Sequence, residues 1–186
     1  MPERDVTVGQ LLLAEYTTIK DEQKTRIGFR DNLLYVTLTV VAAVIAAAAQ
    51  ARQPEMLLAL PPVCVVLGWT YLVNDEKISA IGTYIRDDLS PRLAELAHAG
   101  TAFAWETAHR SDSRRRSRKV IQCAVDLLAF CVVPFAGLVV YWAAGAGDSS
   151  SGLLVLSVVE ALIVVGLGHQ VLSYARPFNS PRPAAP

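Results

Sequence analysis

The stretch GLLVLSVVEALIVVGLGHQVLSYA, residues 152–175, decides the fold class, because Glu160 is its only formally charged side chain. A helix rises about 1.5 Å per residue, so about 20 residues cross the roughly 30 Å hydrocarbon core of a bilayer. Three further stretches have a comparable length and composition, and Asp126 is the one charged residue among them. They are residues 33–49, 56–73 and 120–146.

All backbone polar groups of such stretches must find partners within the protein, because lipid offers no hydrogen bonds, and this requirement favours helices. The sequence therefore predicts an all-α protein with four transmembrane helices and helical cytoplasmic extensions. The predicted segments are a cytoplasmic amphipathic helix over 1–31, transmembrane helices over 32–50, 55–74, 120–146 and 152–175, a cytoplasmic helical segment with a polybasic end over 75–119, and a disordered cytoplasmic tail over 176–186.

Positive charge is distributed unevenly around these spans. Of the 17 Lys and Arg residues, Arg52 alone lies in one of the two short links that follow the first and third spans. Lys and Arg near span ends remain in the cytoplasm. We therefore expect a multi-pass protein of the cytoplasmic (inner) membrane, with both termini inside and the two short links outside.

A polybasic run directly precedes the third predicted span. Anionic headgroups attract each cation near a membrane surface by about 1 kcal/mol, so we expect this run to contact anionic lipid. Specific nucleic-acid binding is disfavoured, because no aromatic residues interleave with the cations and no known binding motif accompanies them. The residues of this predicted contact are Arg114, Arg115, Arg116, Arg118 and Lys119.

Two apolar stripes with helical spacing flank the first two spans. We expect them to pack on each other as a small cytoplasmic bundle, or to pair between subunits. Ser90-Pro91 interrupts the second stripe, and because proline disfavours helix in the residue before it, two helices are predicted there, over 72–89 and 91–109. The first stripe contains Val8, Leu12, Tyr16, Ile19, Gln23 and Ile27, and the second contains Ile78, Ile81, Ile85, Leu89, Leu93 and Leu96.

Three polar residues inside the spans, Asp126, Glu160 and His169, are candidates for a pore or another intramembrane polar site, because charges there are rare and costly. Asp126 and His169 lie at similar predicted depths. They are compatible with a hydrogen-bonded clamp, with part of a proton or ion path, or with separate positions. Glu160 lies nine residues before His169, hence on the opposite helix face. It faces either another neighbour or a lumen.

Catalytic chemistry is not expected. The sequence contains no nucleophile elbow, zinc-protease motif, phosphate-binding loop or dinucleotide-binding fingerprint. Cys64, Cys123 and Cys131 lie within spans and are interpreted as small apolar core residues. We therefore predict neither an enzyme, a cofactor nor a metal site.

A set of residues around the first two spans resembles that of uncharacterised bacterial four-span membrane proteins. It consists of Glu15-Tyr16, Arg26, Arg30, Trp69, Asn74-Asp75, Ile78, Ile81-Gly82, Tyr84-Ile85-Arg86 and Trp105-Glu106. The overall plan also resembles small membrane effectors of bacterial defence systems, in which a cytoplasmic helical part governs a membrane-disrupting or pore-forming part.

Two functional hypotheses follow. The first is an oligomeric channel or pore-like membrane effector that is governed by its cytoplasmic helices, because one short chain does not enclose a pathway alone. The second is a non-conducting membrane scaffold or regulatory subunit that binds a soluble cytoplasmic partner. Expected partners are the lipid bilayer, further copies of the chain and, in the second case, that soluble protein.

Overall fold

The computed structural model describes residues 6–100, 102–103, 115–144 and 150–175, with the backbone alone at 115 and 116. None of these residues forms a β-strand. Six α-helices are described: α1 (Val8–Ala51), α2 (Leu60–Tyr84), α3 (Ser90–Leu96), α4 (Arg115–Leu127), α5 (Val133–Ala143) and α6 (Ser151–Ala175). A 3₁₀-helix, Pro54–Ala59, precedes α2, and π-helical turns join α2 to α3 (Ile85–Leu89) and α4 to α5 (Leu128–Val132).

Four helical stretches are long and apolar enough to cross a membrane: Val8–Ala51, Pro54–Leu96, Ser117–Ala143 and Ser151–Ala175. The predicted all-α class with four transmembrane helices is therefore confirmed, and the chain is a multi-pass integral membrane protein. Helix α1 alone has 44 residues, which corresponds to about 66 Å. It is thus about twice as long as the hydrocarbon core is thick.

The proline residues determine where the helices depart from α geometry. Pro91 and Pro134 each follow a π-helical turn closely, and in these turns Ser90 and Val133 donate backbone hydrogen bonds to the carbonyls of Ile85 and Leu128. The wider turn makes room for the proline ring, which otherwise clashes with the carbonyl four residues earlier. At both prolines the helical path therefore continues through a short π-helical segment.

Two predicted helix boundaries were wrong. The helix continues through Ser90-Pro91 instead of breaking there, because the π-helical turn accommodates the proline. It then ends at Leu96 rather than at residue 109: His98 and Phe103 both have positive φ angles, of 48° and 57°. Residues 104–110, together with the predicted tail over 176–186, lie outside the described residues.

Helix α1 continues without interruption through Gly28 and Asp31-Asn32. The Asp31 carboxylate accepts hydrogen bonds from the guanidinium of Arg30. The predicted segments over 1–31 and 32–50 therefore belong to one helix from Val8 onward.

The chain divides into two compact units, Met1–Val36 with Thr70–Arg115 and Thr37–Trp69 with Arg116–Pro186. In the first unit the two predicted stripes pack on each other, as expected. The cluster is closed by Phe103, whose ring stacks on Tyr16 with a centroid distance of 4.0 Å, and Ser90 Oγ donates to the Ala102 carbonyl. Its core members are Leu12, Ile85, Leu89 and Leu93, with Tyr16, Ile19, Ile81 and Tyr84 against them.

The second unit packs its helices closely at glycine. A Cβ added at Gly68 of α2 would lie 2.9 Å from the Phe130 ring and 3.0 Å from Leu167 of α6. A Cβ added at Gly168 of α6 would lie 3.6 Å from the Cys131 sulfur. Three elements therefore approach one another at these positions because a side chain is missing there.

Large apolar side chains cover the outside of this second unit. On α6, for example, Leu162 is 67% exposed, and Val155 and Val165 are exposed to a similar degree. Soluble monomers rarely carry such continuous apolar surface. In a bilayer these side chains contact lipid.

Leu89→Ala should destabilise the first unit, because Leu89 is fully buried in the stripe cluster. We expect the free energy of unfolding to fall by about 2 to 5 kcal/mol. The measurement is reversible unfolding of the purified protein in detergent, followed by circular dichroism. Leu13→Ala is the matched control, because Leu13 is 52% exposed, and it should change the value by no more than about 0.5 kcal/mol. Equal effects of both substitutions would contradict the packing described.

Candidate functional site

Buried polar side chains on α6 form the candidate intramembrane site of the second unit. Glu160 is only 6% exposed, although its neighbours in sequence, Val159 and Leu162, face outward. Ser157 lies three residues earlier and is fully buried. The spacing of three residues places Glu160 and Ser157 on the same inward face of α6.

The two groups differ in how their hydrogen-bonding capacity is used. Ser157 Oγ accepts a hydrogen bond from Trp142 Nε1 at 2.9 Å and donates one to the Leu154 carbonyl at 2.8 Å. Glu160 Oε2 is buried and has no hydrogen-bond partner among the described residues. A buried carboxylate oxygen without a partner is energetically costly in an apolar environment. Among the described acidic residues of the second unit, Glu160 is therefore the one with a buried oxygen that lacks a partner.

Tyr141, on α5, adds a second such group that sequence reasoning missed. Its ring is buried in an apolar cluster with Leu58 and Leu138, and its hydroxyl lacks a hydrogen-bond partner within the described ranges. A tyrosine near the end of a span is usually interpreted as an interfacial aromatic residue. No pattern in the sequence indicated that Tyr141 is buried rather than interfacial.

Asp126 and His169 are placed differently from each other. Asp126 is 8% exposed, and its Oδ1 accepts a hydrogen bond from Gln122 Nε2 at 2.9 Å, one turn earlier on α4. His169 lies on an exposed face of α6. The clamp between Asp126 and His169, one of the three expected arrangements, stays a prediction. The opposite faces expected for Glu160 and His169 agree with the buried and exposed positions observed.

The predicted anionic-lipid contact is described in part. Arg118 and Lys119 are exposed in the first turns of α4. Arg114 lies outside the described residues, as do the side chains of Arg115 and Arg116. The contact of this run with lipid remains a prediction.

Polar contacts in the first unit join α1 to α2. Arg30 Nη1 donates to Asp75 Oδ1 at 2.8 Å, and the guanidinium carbon lies 5.9 Å from the centre of the Tyr71 ring. Arg26 Nη1 donates to Asn74 Oδ1 at 3.3 Å. Arg30 is thereby held by an ion pair and by the aromatic face of Tyr71.

Two further contacts continue this series along the same pair of helices. Gln23 Nε2 donates to the Ile78 carbonyl at 3.2 Å, and the Tyr84 hydroxyl donates to Glu15 Oε1 at 2.6 Å. Several residues on which the resemblance was based are thus brought into contact in pairs. The sequence alone did not indicate this pairing, because it depends on the relative register of two antiparallel helices.

No protein-family model, curated protein or solved structure matches the chain. The resemblance to bacterial four-span membrane proteins therefore stays a prediction from the residues that carry it.

A double-mutant cycle tests the Arg30–Asp75 contact. We expect a coupling energy of about 1 kcal/mol between Arg30→Gln and Asp75→Asn, because the pair is partly shielded from water. The free energy of unfolding of the wild type, both single variants and the double variant supplies the value. The Lys24–Asp21 pair, whose atoms lie 3.8 Å apart on an exposed surface, is the control. Its coupling should be close to zero, and a similar value for both pairs would contradict the interpretation.

Proposed function

We propose that this chain is a bacterial inner-membrane protein that assembles into an oligomer and acts as a channel or pore-like membrane effector. The observation that carries the proposal is the buried, unpartnered Oε2 atom of Glu160 on α6. Intramembrane acids that lack a fixed partner are typical of ion and proton pathways. Glu160 is accordingly the residue we assign to the pathway.

The state described here fits a closed protomer. Glu160 is shielded from solvent by its own unit, and so is Asp126. Conduction then requires a rearrangement that hydrates Glu160, after which its carboxylate attracts cations electrostatically. The free energy that burial costs the carboxylate favours this hydrated arrangement.

An oligomer provides a wider pathway than a single protomer does. The second unit holds its helices together through glycine and apolar contacts, so a wider pathway requires contributions from further copies. On α1, Ala42, Ala43 and Ala46 are exposed. Such small residues let helix backbones of neighbouring subunits approach closely, and we assign this face of α1 to subunit contact.

The first unit is the proposed regulator. The excess of Lys and Arg outside the short links supports a cytoplasmic position for this unit, with both termini on the same side. Helices α1 and α2 each contribute residues to both units. A change in the packing of the first unit therefore alters helices that also form the second, which is the route by which we expect a cytoplasmic signal to act.

A non-conducting scaffold is the second candidate. It is favoured by apolar side chains near the start of α1 and the end of α3, where Leu11 and Leu96 are both more than half exposed. Water-exposed leucines at one end of a unit are typical of a surface that binds another protein. In this case the soluble partner covers these residues in the cytoplasm.

Ion flux tests the first proposal. The purified full chain in liposomes should release K⁺ or H⁺, measured with fluorescent indicators, and Glu160→Gln should reduce the rate about tenfold or more, equivalent to about 1.4 kcal/mol of barrier. Asp126→Asn should also lower the rate if Asp126 borders the same pathway.

Glu95→Gln provides the matched control, because Glu95 is an exposed glutamate of the first unit, and it should leave the flux unchanged. Absence of flux, or flux that neither Glu160→Gln nor Asp126→Asn alters, would overturn the channel. A mass in mild detergent that corresponds to a strict monomer would also argue against it.

Cross-linking tests the scaffold. Photoreactive groups at positions 11 and 96 should capture a soluble protein in cells, and the same groups at position 162, on the exposed face of α6, should not. Recovery of only self-contacts from positions 11 and 96 would rule out this second candidate.

A further inference from the structure

A groove of about 610 Å³ lies within the second unit, between the end of α1, the 3₁₀-helix and α5. Its walls are almost entirely apolar. Among the described residues that line it, one carries a charge, Arg52. The volume falls within the range of ordinary small-molecule binding sites.

Small residues create this space. Ala48 and Ala49 of α1 and Ala136 of α5 all line the groove. At Gly137, an added Cβ would lie 2.9 Å from Leu60 Cδ1, so α5 approaches the start of α2 closely there. The short side chains leave a volume that larger apolar residues would fill.

The groove has one polar and one apolar end. Arg52 directly follows the last residue of α1, and Ala144 directly follows the last residue of α5. Ile45 lies seven residues before Arg52, or about 10 Å along the helix, and Val133 lies eleven residues before Ala144, or about 16 Å. The cavity therefore runs from the ends of two membrane-spanning helices into their apolar part, with the cation at the outer end.

The backbone at Arg52 supports a role for its side chain. Its φ angle is 54°, and Gln53 donates a backbone hydrogen bond to the Ala48 carbonyl. This geometry is a helix C-terminal motif in which glycine is the residue that fits with least strain. A charged residue therefore occupies a position where its backbone is disfavoured, and its side chain is exposed.

We propose that this groove binds a phospholipid with an anionic headgroup. The guanidinium of Arg52 holds the headgroup phosphate, for which its planar array of donors is well suited. One acyl chain occupies the apolar groove beside Ala49 and Ala136. The site is separate from the polybasic run before α4 and from Glu160, so it does not depend on conduction.

Native mass spectrometry of the detergent-solubilised full chain tests the site, with dioleoylphosphatidylglycerol and dioleoylphosphatidylcholine as probes. We expect phosphatidylglycerol to bind more tightly, and Arg52→Gln to weaken its binding about tenfold, as expected for the loss of one charge-assisted hydrogen-bonded contact. Arg52→Lys should retain part of the preference. Ala136→Leu should reduce binding of both lipids, because it fills the groove.

Two controls separate this site from others. Ala124→Leu places the same added volume on an exposed face of α4 outside the groove, and should leave lipid binding unchanged. Arg118→Gln with Lys119→Gln removes cations of the polybasic run, and phosphatidylglycerol binding that depends on Arg52 should persist in that variant. If Ala136→Leu fails to fold by circular dichroism, Ala49→Leu on the opposite wall replaces it.

Three results would overturn the proposal. The first is that phosphatidylglycerol and phosphatidylcholine bind equally tightly to the wild type, and that Arg52→Gln changes neither affinity. The second is tight phosphatidylglycerol binding that neither Arg52→Gln nor the groove-filling variant reduces. The third is a lipid-free oligomer that Ala136→Leu converts to monomers, which would identify the groove as a contact between copies of the chain.

Discussion

Inside a bilayer no water is available to pair with a peptide N–H or carbonyl, and the rest of this structure depends on that constraint. It makes helices the only practical form for the four apolar stretches. It also explains why the third span does not simply break at Pro134: an open break would leave backbone groups without partners. The π-helical turns keep the carbonyls of Ile85 and Leu128 in hydrogen bonds while making room for the proline rings.

The features of the fold that depend only on composition or residue spacing could be predicted from the sequence. The four spans follow from the absence of charge over long stretches, and the stripes follow from spacing alone, so α1, α2 and the cluster around Leu89 were predictable. The end of α3 at Leu96 was not, because Ser90 and Phe103 fix the following chain through tertiary contacts with Ala102 and Tyr16. The proline rule applied to Ser90-Pro91 considers only the proline and the residue before it. The π-helical turn instead changes the backbone over five residues, Ile85–Leu89.

Most residues of the candidate site could be predicted from the sequence, but their burial and their contacts could not. Asp126 and Glu160 are conspicuous as the charged residues of their spans, but depth along a helix does not specify which face is buried. Asp126 uses Gln122 one turn away, while His169 points outward. Tyr141 was missed because its burial depends on packing between α5 and the 3₁₀-helix. Pairwise geometry across helices was thus the information that the sequence did not contain.

The π-helical turn between α2 and α3 has a further consequence for the alignment of the first unit. Ile85, Leu89 and Leu93 follow one another at intervals of four residues, and all are buried in one cluster. In an ideal α-helix each interval of four advances the side chain about 40° around the axis, so such a row drifts off its face within two or three turns. A wider turn absorbs that angular drift. The π-helical turn thereby keeps these three side chains directed at α1. A supercoil has the same effect on an apolar repeat that extends over many turns.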